Sequence, residues 1–269
     1  MMKIALKLLK DNKLSLIVYT IASLLFALMY VSMFPSMAKQ SEQFMEAFKN
    51  YPKDMMEAFG IEISQLSFSN VQSFLAMENF SLMWPIMVFA MSISLASSAI
   101  AGDIEKGTMS IFLSQPISRV KLYYSKVLSG FLFISIFVVL SVFLIPIIIA
   151  LQNIDFKFNG FVMMAIIGWF FSMAIYGVMM FLSSIFSEKG KVMFMGVGLI
   201  VLMYAINVVA NLKDSLDKLK YLSFFHYFDQ QNALVNAKID WHSIVVFTLV
   251  AVVCIISGSV IFKKRDIIV

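Results

Sequence analysis

Six long apolar runs alternate with polar segments along the chain, and none of the six contains Asp, Glu, His, Lys or Arg. Each run has about 20 residues or more, enough for a helix rising about 1.5 Å per residue to cross a bilayer core of about 30 Å. The runs cover residues 14–34, 80–101, 127–151, 161–187, 192–210 and 243–262. The pattern predicts an all-α membrane protein with six transmembrane helices and both termini on one side.

The residues just before and just after the first apolar run bear on whether it is a retained transmembrane helix. Lys3, Lys7 and Lys10 recur at helical spacing among apolar residues, which predicts an amphipathic helix on the inner membrane surface. A disordered start that only supplies positive charge is the alternative. Ser36-Met37-Ala38 would also suit a signal-peptide cleavage site. The first run is longer than the usual apolar core of a signal peptide, so we expect it to be retained.

The polar connection over residues 35–78 carries a stripe of large apolar residues at helical spacing. Pro52 is expected to break this helical stripe, Gly60 to end its second piece, and Ser69 to cap a further helix that leads into the second run. The stripe is more typical of packing against the rest of the protein than of a substrate site.

Single residues within the runs suggest local roles. Trp84 lies near the outer end of the second run and is predicted to be an interfacial anchor. Pro146 is predicted to kink the third helix, either as a gating hinge or as a simple bend. Asn207 in the fifth run could bond across helices or face a cavity, and cross-helix bonding is the favoured interpretation.

Residues 102–126 form a polar segment between the second and third runs, which we call loop 102–126. Gly107 should end the arriving helix, Thr108 can cap a short new one, and Pro116 should stop it. Ser118 is then placed to cap the third long helix. The loop therefore predicts a short helix outside the lipid, available for contact with another protein.

The string from Ala101 to Arg119, with Glu-Lys-Gly-Thr at 105–108 and Pro-Ile-Ser-Arg at 116–119, resembles the first cytoplasmic loop of ABC-2 type transporter permeases. The resemblance extends to Tyr51-Pro52 with residues 56–60, and to residues 223–229. It implies a single ABC-2 type transmembrane domain over residues 1–269, with short helices in the second long outer segment. The alternative for the loop is a helical hairpin that only lies at the membrane surface.

In that family, the loop carries a coupling helix that contacts a separate ATPase subunit. The resemblance therefore assigns an ATPase-coupling role in loop 102–126 and leads us to expect that Glu105 and Arg119 contact that subunit. The residues to which it gives this role are Glu105, Lys106, Gly107, Thr108, Pro116 and Arg119.

The distribution of Lys and Arg predicts the orientation of the chain in the membrane and argues against a nucleic-acid partner. Thirteen of the 21 Lys and Arg residues lie on the side of the termini, and the other eight are spread over the longer loops opposite. The termini and loop 102–126 are therefore predicted to be cytoplasmic, in a bacterial cell membrane. The basic residues form short clusters beside apolar runs, which does not indicate a nucleic-acid groove.

The chain lacks the usual motifs of an enzyme or an ion carrier. Gly102-x-x-x-x-Gly107-Thr108 has no Lys after the second Gly, so it is not a phosphate-binding loop. The single cysteine, Cys254, has no partner for a disulfide, and no metal motif is present. We expect no catalytic residues, no metal and no cofactor on this chain, with ATP and Mg²⁺ bound by the partner ATPase. The absence of charge within the runs argues against ion coupling.

These observations predict the permease subunit of an ABC exporter that moves an apolar or amphipathic substrate, such as a peptide or a drug. Six spans are few for a complete pathway, so a second copy or a related permease is expected beside it in the lipid. No residue stands out as substrate-binding. The alternative function is a membrane scaffold or immunity-type protein without a transport cycle.

Overall fold

A computed structural model describes residues 2–49, 70–114, 116–212 and 214–266, and the regular elements in these ranges are all helical. Six helical segments are long and apolar enough to cross a membrane. We call them the first to sixth spans, and they cover Lys13–Gln40, Val71–Ala99, Arg119–Leu151, Phe158–Ile185, Lys189–Leu212 and Trp241–Lys264. The predicted all-α membrane fold is confirmed.

Short helices connect the spans. The N-terminal helix, Met2–Asp11, precedes the first span, and loop 102–126 contains the helices Ala101–Glu105 and Met109–Leu113. Between the fifth and sixth spans lie a 3-10 helix, Asp214–Leu222, and two short helices, Phe224–Tyr227 and Gln230–Leu234. The helices expected in the second long connecting segment are therefore present.

The first span is part of a longer helix, Lys13–Lys49, which continues through Pro35. The helix predicted for the connection after Phe34 is confirmed as far as Lys49. Proline removes one backbone hydrogen bond, but residues 37–49 are rich in Ala, Met, Gln, Glu and Lys, which favour helix. The breaks predicted at Pro52 and Gly60 lie outside the described residues.

The second span starts earlier than predicted, at Val71. Its N-cap is Asn70, whose side-chain oxygen accepts a hydrogen bond from the Ser73 N–H at 2.8 Å. The predicted cap, Ser69, lies outside the described residues. The span includes a π-helical stretch, Ala76–Met83, and ends with the α-helix Trp84–Ala99.

The third span is interrupted at Leu144, between the helices Arg119–Phe143 and Ile145–Leu151. Pro146 has no N–H to donate to the Val142 carbonyl four residues before it. The Leu144 N–H reaches the carbonyls of both Leu140 and Val142 instead. The helix is therefore interrupted just before Pro146, and the kink predicted there stays a prediction.

Trp84 lies in the protein core and is 1% exposed, so the predicted interfacial position was wrong. Its ring stacks between Phe137 and Phe228, at centroid distances of 6.3 and 5.9 Å. The indole N–H donates to the Ser141 hydroxyl at 3.0 Å. Because Ser141 satisfies this donor, the side chain needs no contact with the membrane interface.

The spans differ in how far the bundle buries them. The fourth span is the most central, with 67% of its apolar window buried, while the fifth is only 11% buried. The first and sixth spans are each 22% buried. Large apolar side chains of these three spans therefore face lipid or another protein.

Candidate coupling site

Four segments that are far apart in sequence meet at one end of the bundle, which we call the basic end. They are the N-terminal helix, loop 102–126, the connection between the fourth and fifth spans, and the end of the sixth span. Side chains from these segments bond to the ends of four different spans. Helix ends leave unpaired backbone groups, so each of these bonds satisfies a group that the helix itself cannot.

Lys126 bonds to the end of the second span. Its side chain is 2% exposed, and its ammonium group donates to the carbonyl of Ala99 and to the carboxylate of Asp103. The ammonium also lies 4.9 Å from the ring centre of Phe112. A cation at a helix C-terminus is favourable, and Asp103 supplies the opposite charge that a buried ion needs.

Lys126 was assigned to the polar loop in the sequence, yet the helix Arg119–Phe143 places it within the third span. The spans as the structure defines them are therefore not free of charge. The charge is paired, and it lies beside a cavity of about 210 Å³ at the basic end. Asp103 and the Phe112 ring offset the cost of burying the Lys126 ammonium group.

Thr108 has a different role from the predicted helix cap. Its side chain makes no capping bond to the helix Met109–Leu113. The hydroxyl donates instead to Asp103, at 3.2 Å to the carbonyl and 3.0 Å to Oδ1 of the carboxylate. The capping prediction for Thr108 was wrong, because the turn at Gly107 brings the hydroxyl back over Asp103. This contact orients the carboxylate that holds Lys126.

Two other predictions for loop 102–126 are confirmed. Gly107 interrupts the helix, with a φ of 69° that an L-side chain rarely adopts. Ser118 caps the third span, since its hydroxyl accepts a bond from the Lys121 N–H at 3.3 Å. Pro116 is exposed and lies after the end of the short helix Met109–Leu113.

Glu105 bonds to the start of the fifth span. Its carboxylate accepts a hydrogen bond from the backbone N–H of Lys189 at 2.6 Å. Negative charge at a helix N-terminus is favoured, because the free N–H groups point toward it. The carboxylate predicted to face an ATPase is thus already engaged within the chain.

Arg119 is engaged in the same way, since its guanidinium donates to the carbonyl of Arg265, just beyond the sixth span. Arg265 in turn donates to the carbonyls of Ser184 and Phe186, both at 2.9 Å, at the end of the fourth span. Partial burial lowers the pKa of the Arg265 guanidinium. Sequence reasoning missed this role, because Lys263-Lys264-Arg265 was read as a topology signal only.

The exposed face of loop 102–126 is small and carries both a charged and an apolar side chain. Lys106 is exposed, and Ile111 on the short helix Met109–Leu113 is 61% exposed. An apolar side chain so exposed at the tip of a charged loop suits contact with another protein. The structure thus separates residues that hold the loop in place from residues that it presents.

A family model described as ABC-2 family transporter protein matches residues 2–267. The chain therefore belongs to the ABC-2 family of transporter proteins, and the resemblance of loop 102–126 is confirmed for the chain as a whole. It is a multi-pass membrane permease of the kind that generally has no nucleotide-binding site and associates with ABC ATPases. A search of curated proteins finds no match.

Proposed function

We propose that the protein is the permease subunit of an ABC exporter, with loop 102–126 as the docking element for a separate ATPase. The observation that carries this proposal is the rigid mounting of the exposed helix Met109–Leu113. Asp103 bonds to Lys126 in the third span, and Glu105 bonds to the start of the fifth span. A force applied to the loop would therefore reach two spans at once.

The proposed docking face consists of the residues of loop 102–126 that remain exposed once Asp103 and Glu105 have bonded to the spans. Ile111 supplies an apolar contact, and Lys106 supplies an exposed charge beside it. Glu105 and Arg119 act mainly by holding the loop to the spans. ATP and Mg²⁺ belong to the partner ATPase, and this chain binds neither.

The basic end is proposed to face the cytoplasm, and the poorly buried spans are proposed to contact a second permease subunit. The thirteen-to-eight excess of basic residues at the basic end supports a cytoplasmic position for that end in a bacterial cell membrane. The poorly buried first, fifth and sixth spans offer apolar surface for a second copy or a related permease. A pathway formed between such subunits would be lined by apolar and neutral polar groups, which suits an apolar or amphipathic substrate.

Replacing Ile111 with Glu tests the docking face. Leu222→Glu is a matched control, because Leu222 is also 61% exposed and follows the fifth span at the other end of the bundle. We expect Ile111→Glu to reach the membrane in normal amount and to lose the ATPase during purification. The control should retain it.

The partner to follow is the ABC ATPase encoded with this chain, expressed with a tag and quantified at equal permease abundance. Equal recovery with both variants would show that Ile111 is not part of the contact. A wild-type chain that recovers no ATPase and stimulates no ATP hydrolysis would favour a membrane scaffold over a transporter.

A further inference from the structure

A polar cavity of about 640 Å³ lies at the end of the bundle opposite the basic end, beside the last turns of the fifth span. Its volume falls within the usual range of ligand pockets, about 300–1,000 Å³. The walls come from the second span, the fifth span and the short helices Phe224–Tyr227 and Gln230–Leu234. The cavity is distinct from loop 102–126 and plays no part in the proposed docking.

Asn207 and Asn211 of the fifth span both line this cavity, one helical turn apart. The predicted cross-helix bond of Asn207 was wrong, since neither amide has a hydrogen-bond partner among the described residues. The rest of this span is strongly apolar and exposed. Two free amides on one face of such a helix are costly unless they meet water or a ligand.

Ser73 provides an independent observation at the wall of the same cavity. The residue is 1% exposed, and its hydroxyl has no hydrogen-bond partner in the described part of the chain. Buried hydroxyls are normally bonded, so an orphaned one at a cavity wall indicates a missing partner. Gln230 and Gln231 add two more side-chain amides to the lining.

The lining carries little net charge. Among the residues that the structure describes, no Lys or Arg contributes to it, and Asp229 is the only carboxylate. Both oxygens of Asp229 are already used by Asn232, through its backbone N–H at 2.9 Å and its side-chain amide at 2.5 Å. Burial, reinforced by the nearby Lys220 ammonium, lowers the pKa of His226, which disfavours the charged form of its ring. The cavity therefore suits a neutral ligand.

Phe228, one of the aromatic residues at the cavity, has its ring stacked against other rings of the core. Phe228 is stacked on both sides, at 4.2 Å from Phe171 and 5.9 Å from Trp84. Sugars are commonly held by an open aromatic face and a free carboxylate, whereas the Phe228 ring and the Asp229 carboxylate are both engaged within the chain. Side-chain amides instead pair well with the C=O and N–H groups of a peptide backbone, each offering one acceptor and two donors.

We propose that this cavity binds an uncharged segment of polypeptide through its main-chain amides. Asn207 and Asn211 are the residues that contact the peptide. The proposal rests on the proposed export function only in that the bound peptide would be a transported substrate. The site lies on the face of the fifth span that carries Asn207 and Asn211.

Binding is measured on the purified full chain in lipid nanodiscs, without ATPase. The probe is an N-acetylated, C-amidated octapeptide of alternating Leu and Ser with a fluorescent label. Its backbone N-methylated analogue has the same side chains but lacks the N–H donors, and a neutral tetrasaccharide with the same label tests for sugar. We expect saturable binding of the octapeptide only.

Asn207→Leu and Asn211→Leu should each weaken octapeptide binding by about three- to tenfold, as expected for the loss of one or two hydrogen bonds. Val208→Leu changes the same helix outside the cavity lining and should bind like the wild type. Equal binding of the N-methylated analogue, binding of the tetrasaccharide instead, or no saturable binding up to about 1 mM would overturn the proposal. The ATPase co-purification test at Ile111 is independent of each of these results.

Discussion

The Glu105 carboxylate accepts a hydrogen bond from the backbone N–H of Lys189 at 2.6 Å, across 84 positions of sequence. This bond links loop 102–126 to the first turn of the fifth span. The fifth span is the least buried of the six, so it has little other packing to fix its position. Movement of the loop would therefore shift this span more readily than the central fourth span.

Glu105→Lys and Glu105→Gln should separate the role of this bond from docking. Lysine removes the acceptor and places positive charge at a helix N-terminus, whereas glutamine keeps a neutral acceptor oxygen. We expect Glu105→Lys to recover the ATPase during purification but to lose most substrate-dependent stimulation of ATP hydrolysis, with Glu105→Gln intermediate. Loss of the ATPase itself at Glu105→Lys would show that Glu105 is a docking residue.

The pair formed by Asp103 and Lys126 should dominate the stability of the basic end. Asp103→Asn leaves a buried ammonium group without its counter-charge, which typically costs about 3–5 kcal/mol. Lys126→Met should cost less, because the Asp103 side chain is 23% exposed and can be hydrated. The double variant should be more stable than Asp103→Asn alone.

Thermal unfolding of the purified chain in detergent measures this order. Lys121→Met is the control, because Lys121 is exposed on the same helix and makes no side-chain bond in the described residues. If Asp103→Asn unfolds at the same temperature as this control, the ion pair contributes no net stability.

Much of the fold could be predicted from the sequence because span length and apolarity are local properties. A run of about 20 apolar residues must form a helix in lipid, since its backbone groups have no other partners there. Gly107, Pro146 and Ser118 were predictable for the same reason, as each acts on its own segment through backbone geometry or a missing donor.

The failed predictions concern residues whose environment is set by distant parts of the chain. Trp84 is buried because Ser141 and Phe228 reach it from other segments. Asn207 faces a cavity built largely by residues that follow the fifth span. Thr108 is different, because it bonds to Asp103 only five residues away and the turn at Gly107 brings the two together. A single sequence does not show which distant residues will pack around a given side chain.

Gly107 gives a direct test of the turn that positions the docking helix. Its φ is 69°, but a Cβ at this position would meet nothing within 4 Å. Gly107→Ala should therefore destabilise the loop by about 1–2 kcal/mol through backbone strain alone, and Gly107→Asn by less, because Asn tolerates this conformation better. ATPase recovery during purification should fall in the same order.

Gly190→Ala is the matched control for Gly107→Ala. Gly190 is helical, and a Cβ there also has open space around it. Alanine should leave stability unchanged or raise it by up to about 1 kcal/mol, because it favours the helix. Equal loss of ATPase in both variants would mean that φ at Gly107 is not what positions the helix Met109–Leu113.

Lys106→Cys and Lys218→Cys, each in a Cys254→Ser background, test the orientation of the bundle. Both lysines are exposed, and they lie at opposite ends because the fifth span, Lys189–Leu212, separates loop 102–126 from the 3-10 helix that contains Lys218. A helix of 24 residues is about 36 Å long, enough to cross the membrane core. We expect a membrane-impermeant maleimide to label Lys218→Cys in intact cells and Lys106→Cys only after permeabilisation. Labelling of both in permeabilised cells confirms that each thiol is reactive, and labelling of Lys106→Cys in intact cells would place loop 102–126 outside and rule out its contact with a cytoplasmic ATPase.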